Sequence, residues 1–189
     1  MNNYPKISII TVVKNSASTI QRTINSVKKQ NYKNIEYIVI DGCSHDGTLD
    51  ILKKNLDRID LLISEKDNGP SDATNKGIKK ATGKYIFWLC ADDWMPKNFI
   101  INNIKYLNNN TDVVYSNLIY INSNNKRLKI YPIKSIDKSI LHTMPVLNTP
   151  TFMIRRDIFF KFGFIDESLK IASDYDIALR FYINNCNFL

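Results

Sequence analysis

Cysteine and histidine are scarce in this chain of 189 residues, and their scarcity excludes two classes of protein. The three cysteines, Cys43, Cys90 and Cys186, are odd in number and widely spaced, so the sequence indicates neither a disulfide framework nor a redox motif. The two histidines are too far apart in sequence to suggest a zinc site. We expect reduced thiols, as in a cytoplasmic protein.

Long hydrophobic runs and glycine-rich phosphate loops are also missing. No apolar run approaches the length that spans a bilayer, and the first residues lack the charged and apolar segments of a signal peptide. The chain has no G-x-G-x-x-G after its first apolar run and no G-x-x-x-x-G-K-[ST]. If the chain binds a phosphorylated ligand, we therefore expect groups other than a glycine-rich loop to help hold the phosphates.

Positive charge is abundant. The formal net charge of +8 favours acidic partners such as nucleotide phosphates, an anionic membrane face or nucleic acid. The alternative is a solubilising charge, because the lysines are scattered over predicted helices. The aromatic residues do not interleave with the basic ones, so we expect no nucleic-acid partner. Peripheral membrane contact through the basic surface stays open.

Strand and helix patterns alternate along the chain. Apolar runs predict strands at residues 7–13, 36–40, 61–63 and 85–89, and helices are predicted around residues 17–27, 48–56 and 72–81. The second half predicts a helix through residues 100–107, a long strand at 113–120, a polar turn at 122–127, a strand at 151–154 and a helix at 173–182. This order is typical of βαβ units with a parallel sheet, and no linker or repeat interrupts it. We expect one α/β domain.

A polar cluster follows each of the first four predicted strands. In chain order the clusters are Thr11 with Asn15, Asp41 with Ser44 and Asp46, Asp67 with Asp72, and Asp92 with Asp93. Because the carboxyl ends of parallel strands share one edge of a sheet, we expect these side chains to converge on one crevice. Adjacent carboxylates repel each other unless a cation or hydrogen-bond donors hold them. The last pair therefore indicates Mn²⁺ or Mg²⁺ and, through it, a phosphorylated ligand.

The same residues also have interpretations that involve no ligand. These are turns at Asp41 and Asp46, a first-turn acid at Asp72, an ordinary helix surface at Asn75 and Lys76, and a cap at Asp92 and Asp93 for a helix near Pro96. The cap interpretation is the weakest of them, because one carboxylate would suffice for a cap.

Five segments in series resemble family 2 glycosyltransferases with the GT-A fold. They are residues 7–15, 41–48 (DGCSHDGT), 72–77 (DATNKG), 81–85 (ATGKY) and 91–93 (ADD). The resemblance implies a three-layer α/β/α sandwich with a mostly parallel, Rossmann-like central sheet. It also implies a nucleotide-binding half at residues 1–95, an acceptor-side half at 96–189, and an inverting transfer from a nucleotide sugar with Mn²⁺ or Mg²⁺.

By position, the resemblance assigns donor contacts to five residues besides Asp92. Asp41 would accept a hydrogen bond from the base, typically the imide of uracil, and Thr11 would lie beside the nucleotide. Asn15, Asp72 and Lys76 would belong to the same nucleotide-sugar site.

The resemblance assigns the metal to the adjacent aspartates. Asp92 would face the ribose or the metal, and Asp93 would bind the metal that bridges the diphosphate. The family motif often has an acid two places before Asp92, where this chain has Cys90. Because a thiol is a poor ligand for a hard cation, we expect the two aspartates to carry the metal.

The start of the last predicted helix is the place for a catalytic base. An inverting transfer needs a carboxylate that takes the proton of the acceptor hydroxyl. In the family this position often reads Glu-Asp, which assigns the base to Asp174, with Ser173 in place of the Glu and Asp176 as the second candidate. A helix N-terminus favours an ionised carboxylate. The alternative is helix capping by Ser173 with acids favoured by the dipole.

The sequence thus predicts a metal-dependent, inverting glycosyltransferase. It would move a sugar from a UDP sugar to a saccharide or lipid-linked saccharide in the synthesis of surface polysaccharide or glycolipid, in the cytoplasm or at the inner face of the membrane. Two alternatives stay open: a nucleotidyltransferase and a catalytically silent nucleotide-sugar-binding module. Relatives usually continue beyond the base helix, so the resemblance also implies that the acceptor-side half is truncated after Leu189.

Overall fold

The computed structural model describes residues 4–108, 110–122, 124, 126–132, 136–137, 141 and 149–189. Within them the strands are β1 (Ile7–Val13), β2 (Ile35–Asp41), β3 (Leu61–Ser64), β4 (Tyr85–Trp88), β5 (Val113–Val114), β6 (Leu118–Ile121), β7 (Arg127–Tyr131) and β8 (Met153–Arg155). The helices are α1 (Ile20–Lys28), α2 (Thr48–Lys53), α3 (Pro70–Lys80), α4 (Phe99–Ile104), α5 (Arg156–Phe162) and α6 (Ser173–Ile183). Short 3-10 turns lie at Leu56–Arg58 and Thr149–Thr151.

The strands form a six-stranded sheet and a separate antiparallel hairpin. The sheet order is β3-β2-β1-β4-β8-β5, and β6 pairs with β7. The first four strands in this order are parallel, whereas β8 is antiparallel to β4 and β5. Met153 at the start of β8 lies opposite Phe87 near the end of β4. The turn before β8 therefore lies at the edge where the parallel strands end.

Side chains of the strands alternate between two apolar layers. In β1, Ile7 and Ile9 belong to the same cluster as Ile20 of α1, whereas Ile10 belongs to the same cluster as Ile78 of α3. Residues of α5 and α6 join the α3 side of the sheet. Because successive strand side chains point to opposite faces, both faces are covered by helices. The result is the predicted three-layer arrangement.

Several predicted elements agree closely with the structure. β1 occupies the predicted residues 7–13, and α6 begins at the predicted Ser173. The helix predicted at 48–56 ends at Lys53. α3 begins at Pro70, two residues earlier than predicted, and proline suits a first helical turn because its missing N–H is not needed there.

In the described part of the chain, no helix is both long and apolar enough to cross a membrane.

The long strand predicted at residues 113–120 is wrong. β5 ends at Val114 in the main sheet, and β6 begins at Leu118 in the separate hairpin. Between them, the Ser116 N–H donates to Thr151 Oγ1 and the Thr151 hydroxyl donates to the Ser116 carbonyl, both at 3.0 Å. These contacts tie the break to the turn before β8. The sequence patterns also predict neither β7, whose side chains are mostly exposed, nor the short α5.

Candidate functional site

The loops that follow β1 and β2 are hydrogen-bonded to each other. The Asn15 N–H donates to Ser44 Oγ at 2.9 Å, and the His45 N–H donates to Asn15 Oδ1 at 2.8 Å. The Ala17 N–H donates to Asp46 Oδ2 at 3.0 Å. Asn15 has a φ of 52°, a left-handed conformation that asparagine tolerates. Asn15 therefore joins two loops at the sheet edge. Asp46 also links these loops, in addition to any role in its own turn.

Asp41 and Thr11 are fully buried. Asp41 Oδ1 accepts the Ser44 hydroxyl at 2.5 Å, and its Oδ2 accepts the Ser64 hydroxyl at 2.6 Å. The Tyr37 hydroxyl donates to Thr11 Oγ1 at 3.2 Å. Both side chains thus form hydrogen bonds within the protein. The contact of Asp41 with the base stays a prediction, because each carboxylate oxygen can accept a second donor beside its serine hydroxyl.

Asp72 and Lys76 of α3 hold the loop that follows β3. Asp72 Oδ2 accepts the Asn68 N–H at 2.9 Å, which is the main reason that the pKa of Asp72 is lowered. The Lys76 ammonium donates to the Lys66 carbonyl at 3.1 Å and pairs with Glu65 at 2.9 Å. Both predicted residues thus order the loop at residues 65–69.

Asn75 fastens the segment that leads to α6. Its Nδ2 donates to the Ile165 carbonyl at 2.8 Å and to Glu167 Oε1 at 2.9 Å. Its Oδ1 accepts the Ile165 N–H at 3.0 Å. Asn75 is buried, so the interpretation of this residue as ordinary helix surface is wrong.

Asp92 and Asp93 lie in a turn after β4, where the Asp93 N–H donates to the Cys90 carbonyl at 3.1 Å. Potential ligand atoms of these three residues lie within 4.8 Å of one another. Burial, and then the charge of Asp92, raises the pKa of Asp93, whereas Arg22 opposes this shift. Burial and the two carboxylates raise the pKa of Cys90 to about 12. These three residues form a candidate metal-binding group within the described part of the chain.

Two residues of α1 fix the backbone of this turn. Arg22 Nη2 donates to the Asp92 carbonyl at 2.9 Å. Thr23 Oγ1 lies 2.9 Å from the Ala91 carbonyl and 2.7 Å from the Asp93 carbonyl. Local sequence patterns point to neither Arg22 nor Thr23, because their partners are about 70 residues away in the chain. Thr23 could have been noticed because it places a hydroxyl on the apolar face of a predicted helix, where a buried polar group needs a hydrogen-bond partner.

The donor set fits a hard divalent cation. The aspartates do not cap the next helix, since α4 begins at Phe99 with Asn98 as its N-cap. Two adjacent carboxylates repel each other when both are ionised, and a bound cation relieves this repulsion. Mn²⁺ and Mg²⁺ favour such oxygens and keep positions for phosphate oxygens. Asp92 and Asp93 would hold that cation.

A cavity of about 380 Å³ lies beside the aspartate pair. Asp92 and Asp93 line it together with the partly exposed Trp94. Pro150 and Thr151, from the turn before β8, contribute another part of the lining, as does the β6–β7 hairpin. The walls are mostly apolar. The cavity therefore lies at the sheet edge where the parallel strands end.

Asp174 is linked to this cavity through the turn before β8. The exposed Asp174 accepts the Thr149 hydroxyl on its Oδ2 at 3.2 Å and the Tyr175 N–H on its Oδ1 at 2.9 Å. Thr149 is buried, and the two residues that follow it line the cavity. Asp176, the second candidate, is instead paired with Arg180 one helical turn later.

The chain matches the family model described as Glycosyl transferase family 2 over residues 8–163. An uncharacterized glycosyltransferase of Rickettsia prowazekii is 36% identical over 190 residues, which cover 94% of this chain and 59% of that protein. The poly(ribitol-phosphate) beta-N-acetylglucosaminyltransferase TarS of Staphylococcus aureus is 24% identical over 187 residues, which cover 95% of this chain and 33% of TarS. The chain thus spans less than two thirds of the length of these relatives.

Solved structures give the same likeness in three dimensions. The crystal structure of S. aureus TarS 1-349 in complex with UDP-GlcNAc matches with a TM-score of 0.71 at 24% identity, over 97% of this chain and 56% of that one. The mannosyltransferase PcManGT from Pyrobaculum calidifontis, in complex with GDP-Man and Mn²⁺, matches with a TM-score of 0.77 at 18% identity, over 100% of this chain and 55% of that one. The predicted α/β fold of the GT-A type is confirmed.

Proposed function

The chain belongs to glycosyl transferase family 2, and from this premise we propose that it transfers a sugar from a UDP sugar to an acceptor hydroxyl, with inversion at the anomeric carbon. One observation carries the proposal. Asp92 and Asp93 line the same cavity as the turn whose Thr149 contacts Asp174. A candidate cation site and a candidate base are thus associated with one space.

Residues 1–95 would bind the donor. Asn15, Asp72 and Lys76 order the loops at the edge where a nucleotide would lie. Two structural relatives support this use of the fold, since TarS is described with UDP-GlcNAc and PcManGT with GDP-Man and Mn²⁺. When bound to Asp92 and Asp93, Mn²⁺ or Mg²⁺ would supply Lewis-acid stabilisation of the departing diphosphate.

Residues 96–189 would bind the acceptor and provide the base. Asp174 takes the proton of the acceptor hydroxyl while its oxygen forms the new bond to the anomeric carbon. The bond between that carbon and the diphosphate oxygen breaks, and its electron pair leaves with the diphosphate. Thr149 orients the Asp174 carboxylate through its hydrogen bond.

The acceptor would be a saccharide or a lipid-linked saccharide. The mostly apolar cavity, with the Trp94 ring in its lining, suits the C–H face of a sugar ring. TarS, whose name gives a poly(ribitol-phosphate) acceptor, supports a role in surface polysaccharide or glycolipid synthesis. The protein would act in the cytoplasm at the inner face of the membrane, where anionic lipids attract a chain with a net charge of +8.

A release assay tests the proposal. The protein is incubated with UDP-GlcNAc, UDP-glucose or GDP-mannose, with a candidate acceptor, and with either Mn²⁺ or EDTA. We expect release of a nucleoside diphosphate in Mn²⁺ and its loss in EDTA. Release of pyrophosphate would instead favour a nucleotidyltransferase. Nucleotide-sugar binding without turnover in the full-length protein would favour a catalytically silent binding module.

A further inference from the structure

The β6–β7 hairpin exposes apolar side chains to solvent. Within the described part of the chain, its two strands pair only with each other. A two-stranded hairpin alone is marginally stable in water and needs a further surface to pack against. Four of its apolar side chains are nonetheless between 42 and 64% exposed, namely Ile119, Tyr120, Leu128 and Ile130. The hairpin therefore presents a surface that a partner would cover.

The two faces of the hairpin differ. Ile119 lies opposite Ile130, and Ile119 belongs to the lining of the cavity beside the aspartate pair. Tyr120 lies opposite Lys129, on the other face, because successive side chains of a strand alternate. The ring centroids of Tyr120 and Tyr131 are 5.0 Å apart there, and Lys129 Nζ lies 4.3 Å from the centroid of the Tyr131 ring. Tyr120, Lys129 and Tyr131 thus form an outer face, opposite to the face that lines the cavity.

The charge of the hairpin has one sign. Residues 118–131 include Lys126, Arg127 and Lys129 and no acid. Lys126 and Lys129 are exposed, as is Leu128 between them. A second copy of the hairpin would bring like charges together, which disfavours self-association through this surface. An anionic surface, by contrast, attracts it.

A lipid surface with anionic headgroups matches both the apolar side chains and the charge. Tyrosine rings are enriched at the level of the headgroups, where the apolar ring and the polar hydroxyl both find suitable surroundings. Lysines attract anionic lipids, and an exposed leucine gains by leaving water. The rings of Tyr120 and Tyr131, with Leu128 and the two lysines beside it, therefore combine the features of an interfacial membrane contact.

We propose that the outer face of the hairpin, with Leu128 and Lys126, binds an anionic lipid membrane. The consequence for the acceptor rests on the proposed function. Because the opposite face of the hairpin lines the cavity, and a sheet layer with its side chains is about 10 Å thick, docking holds the cavity close to the headgroups. A saccharide carried on a membrane lipid reaches the cavity from there. The membrane contact therefore favours a lipid-linked acceptor over a free saccharide.

Sedimentation with lipid vesicles tests the proposal. Full-length protein is mixed, without donor or metal, with vesicles of phosphatidylcholine alone or of phosphatidylcholine and phosphatidylglycerol in equal parts. We expect roughly tenfold or tighter binding to the anionic vesicles, weakened by salt. Lys126→Gln with Lys129→Gln should weaken it roughly 10- to 30-fold, since a lysine near an anionic surface contributes about fivefold. Lys53→Gln with Lys54→Gln removes the same charge from exposed positions at the end of α2, and this matched control should change binding by no more than about twofold.

Leu128→Ser and hydrogen exchange examine the apolar part of the contact. The substitution removes an exposed side chain and should weaken vesicle binding roughly 5- to 10-fold. Amide exchange in residues 118–131 should slow only when anionic vesicles are added. Equal binding to both kinds of vesicle, or an equal loss in the Lys53 and Lys54 control, would overturn the proposal. Slow exchange before vesicles are added would also overturn it, because another part of the protein or a second copy would then cover the hairpin.

The vesicle measurements are independent of the release assay, because they use neither a nucleotide sugar nor a metal. Failure of vesicle binding with release of a nucleoside diphosphate intact would overturn the membrane contact alone. Vesicle binding without any release of a nucleoside diphosphate would instead contradict the proposed function and leave the membrane contact standing.

Discussion

The first turn of α6 presents two acids in different surroundings. Asp176 is paired with Arg180, whereas Asp174 is exposed and accepts a hydrogen bond from Thr149. The Asp176 carboxylate is held by the Arg180 guanidinium, whereas Asp174 contacts the turn whose next two residues line the cavity. At the scale of single residues, the surroundings therefore distinguish two acids that are only two positions apart, and they favour Asp174 as the base.

Replacement of Asp174 tests this assignment. We expect Asp174→Asn to lower the rate of nucleoside diphosphate release about 10²- to 10⁴-fold, the usual contribution of a general base, and to leave UDP affinity unchanged. Asp176→Asn removes the other acid and should cost about 1 kcal/mol of stability or less, with a much smaller effect on rate. Initial rates and calorimetry measure the two quantities. A rate in Asp174→Asn close to that of the wild type would rule out this base.

Glu36, at the start of β2, carries a pH-dependent part of the stability. Burial by itself raises the pKa of Glu36, but hydrogen bonds from Ser8, Thr82 and Lys6 outweigh it and lower the pKa to about 2. The folded value therefore lies below the ordinary value of 4.5. Its stabilising contribution is complete above pH 4.5 and is lost as the pH falls toward 2.

Glu36→Gln should accordingly reduce the free energy of unfolding by about 2–3 kcal/mol at pH 7, since each pKa unit corresponds to about 1.4 kcal/mol. At pH 3 the loss should be less than half as large, because the unfolded wild-type chain is then already protonated at this group. Urea unfolding at both pH values measures the difference. Equal losses at pH 7 and pH 3 would show that the effect is not electrostatic, and Asp57→Asn serves as the control for loss of an exposed acid.

At the scale of elements, continuous β-branched runs were the most predictable features. β1 matches its prediction because a buried parallel strand must be apolar on both faces. The run at residues 113–120 has a similar composition, yet a contact with Thr151 breaks it at Ser116, and a sequence pattern carries no information on a partner 35 residues away. The helix α1 was predicted from its apolar face, but its task of holding the Asp92–Asp93 turn depends on the tertiary packing of Thr23.

Thr23→Val tests that task of α1. The substitution keeps the shape of the side chain but leaves the carbonyls of Ala91 and Asp93 without the hydroxyl, which should cost roughly 1–3 kcal/mol of stability. The looser turn should also raise the Mn²⁺ concentration needed for half-maximal activity severalfold. Ser18→Ala, at an exposed position just before α1, is the control. An unchanged Mn²⁺ requirement in Thr23→Val would mean that the turn needs no support from α1.

At the scale of the whole molecule, the site arises from topology. The four parallel strands end at one edge, and antiparallel β8 brings the Thr149–Thr151 turn and Asp174 to that edge. The sequence predicts this convergence because βαβ order determines which strand ends meet. It does not reveal that Ser44 and Ser64 seal Asp41, because local patterns do not separate a buried acid from an exposed one at the end of a strand.

Binding of Mn²⁺ in the presence of UDP tests most directly whether Asp92 and Asp93 hold a nucleoside diphosphate through a cation. Free Mn²⁺ is followed by electron paramagnetic resonance during titration of the wild-type protein and of the Asp92→Asn, Asp93→Asn and Asp57→Asn variants, with UDP in buffer as the blank. We expect wild-type protein and Asp57→Asn to bind Mn²⁺ with UDP well beyond the blank, and both variants of the pair to lose at least tenfold in affinity. Mn²⁺ uptake no greater than the blank, or undiminished uptake in both variants of the pair, would contradict the proposed site.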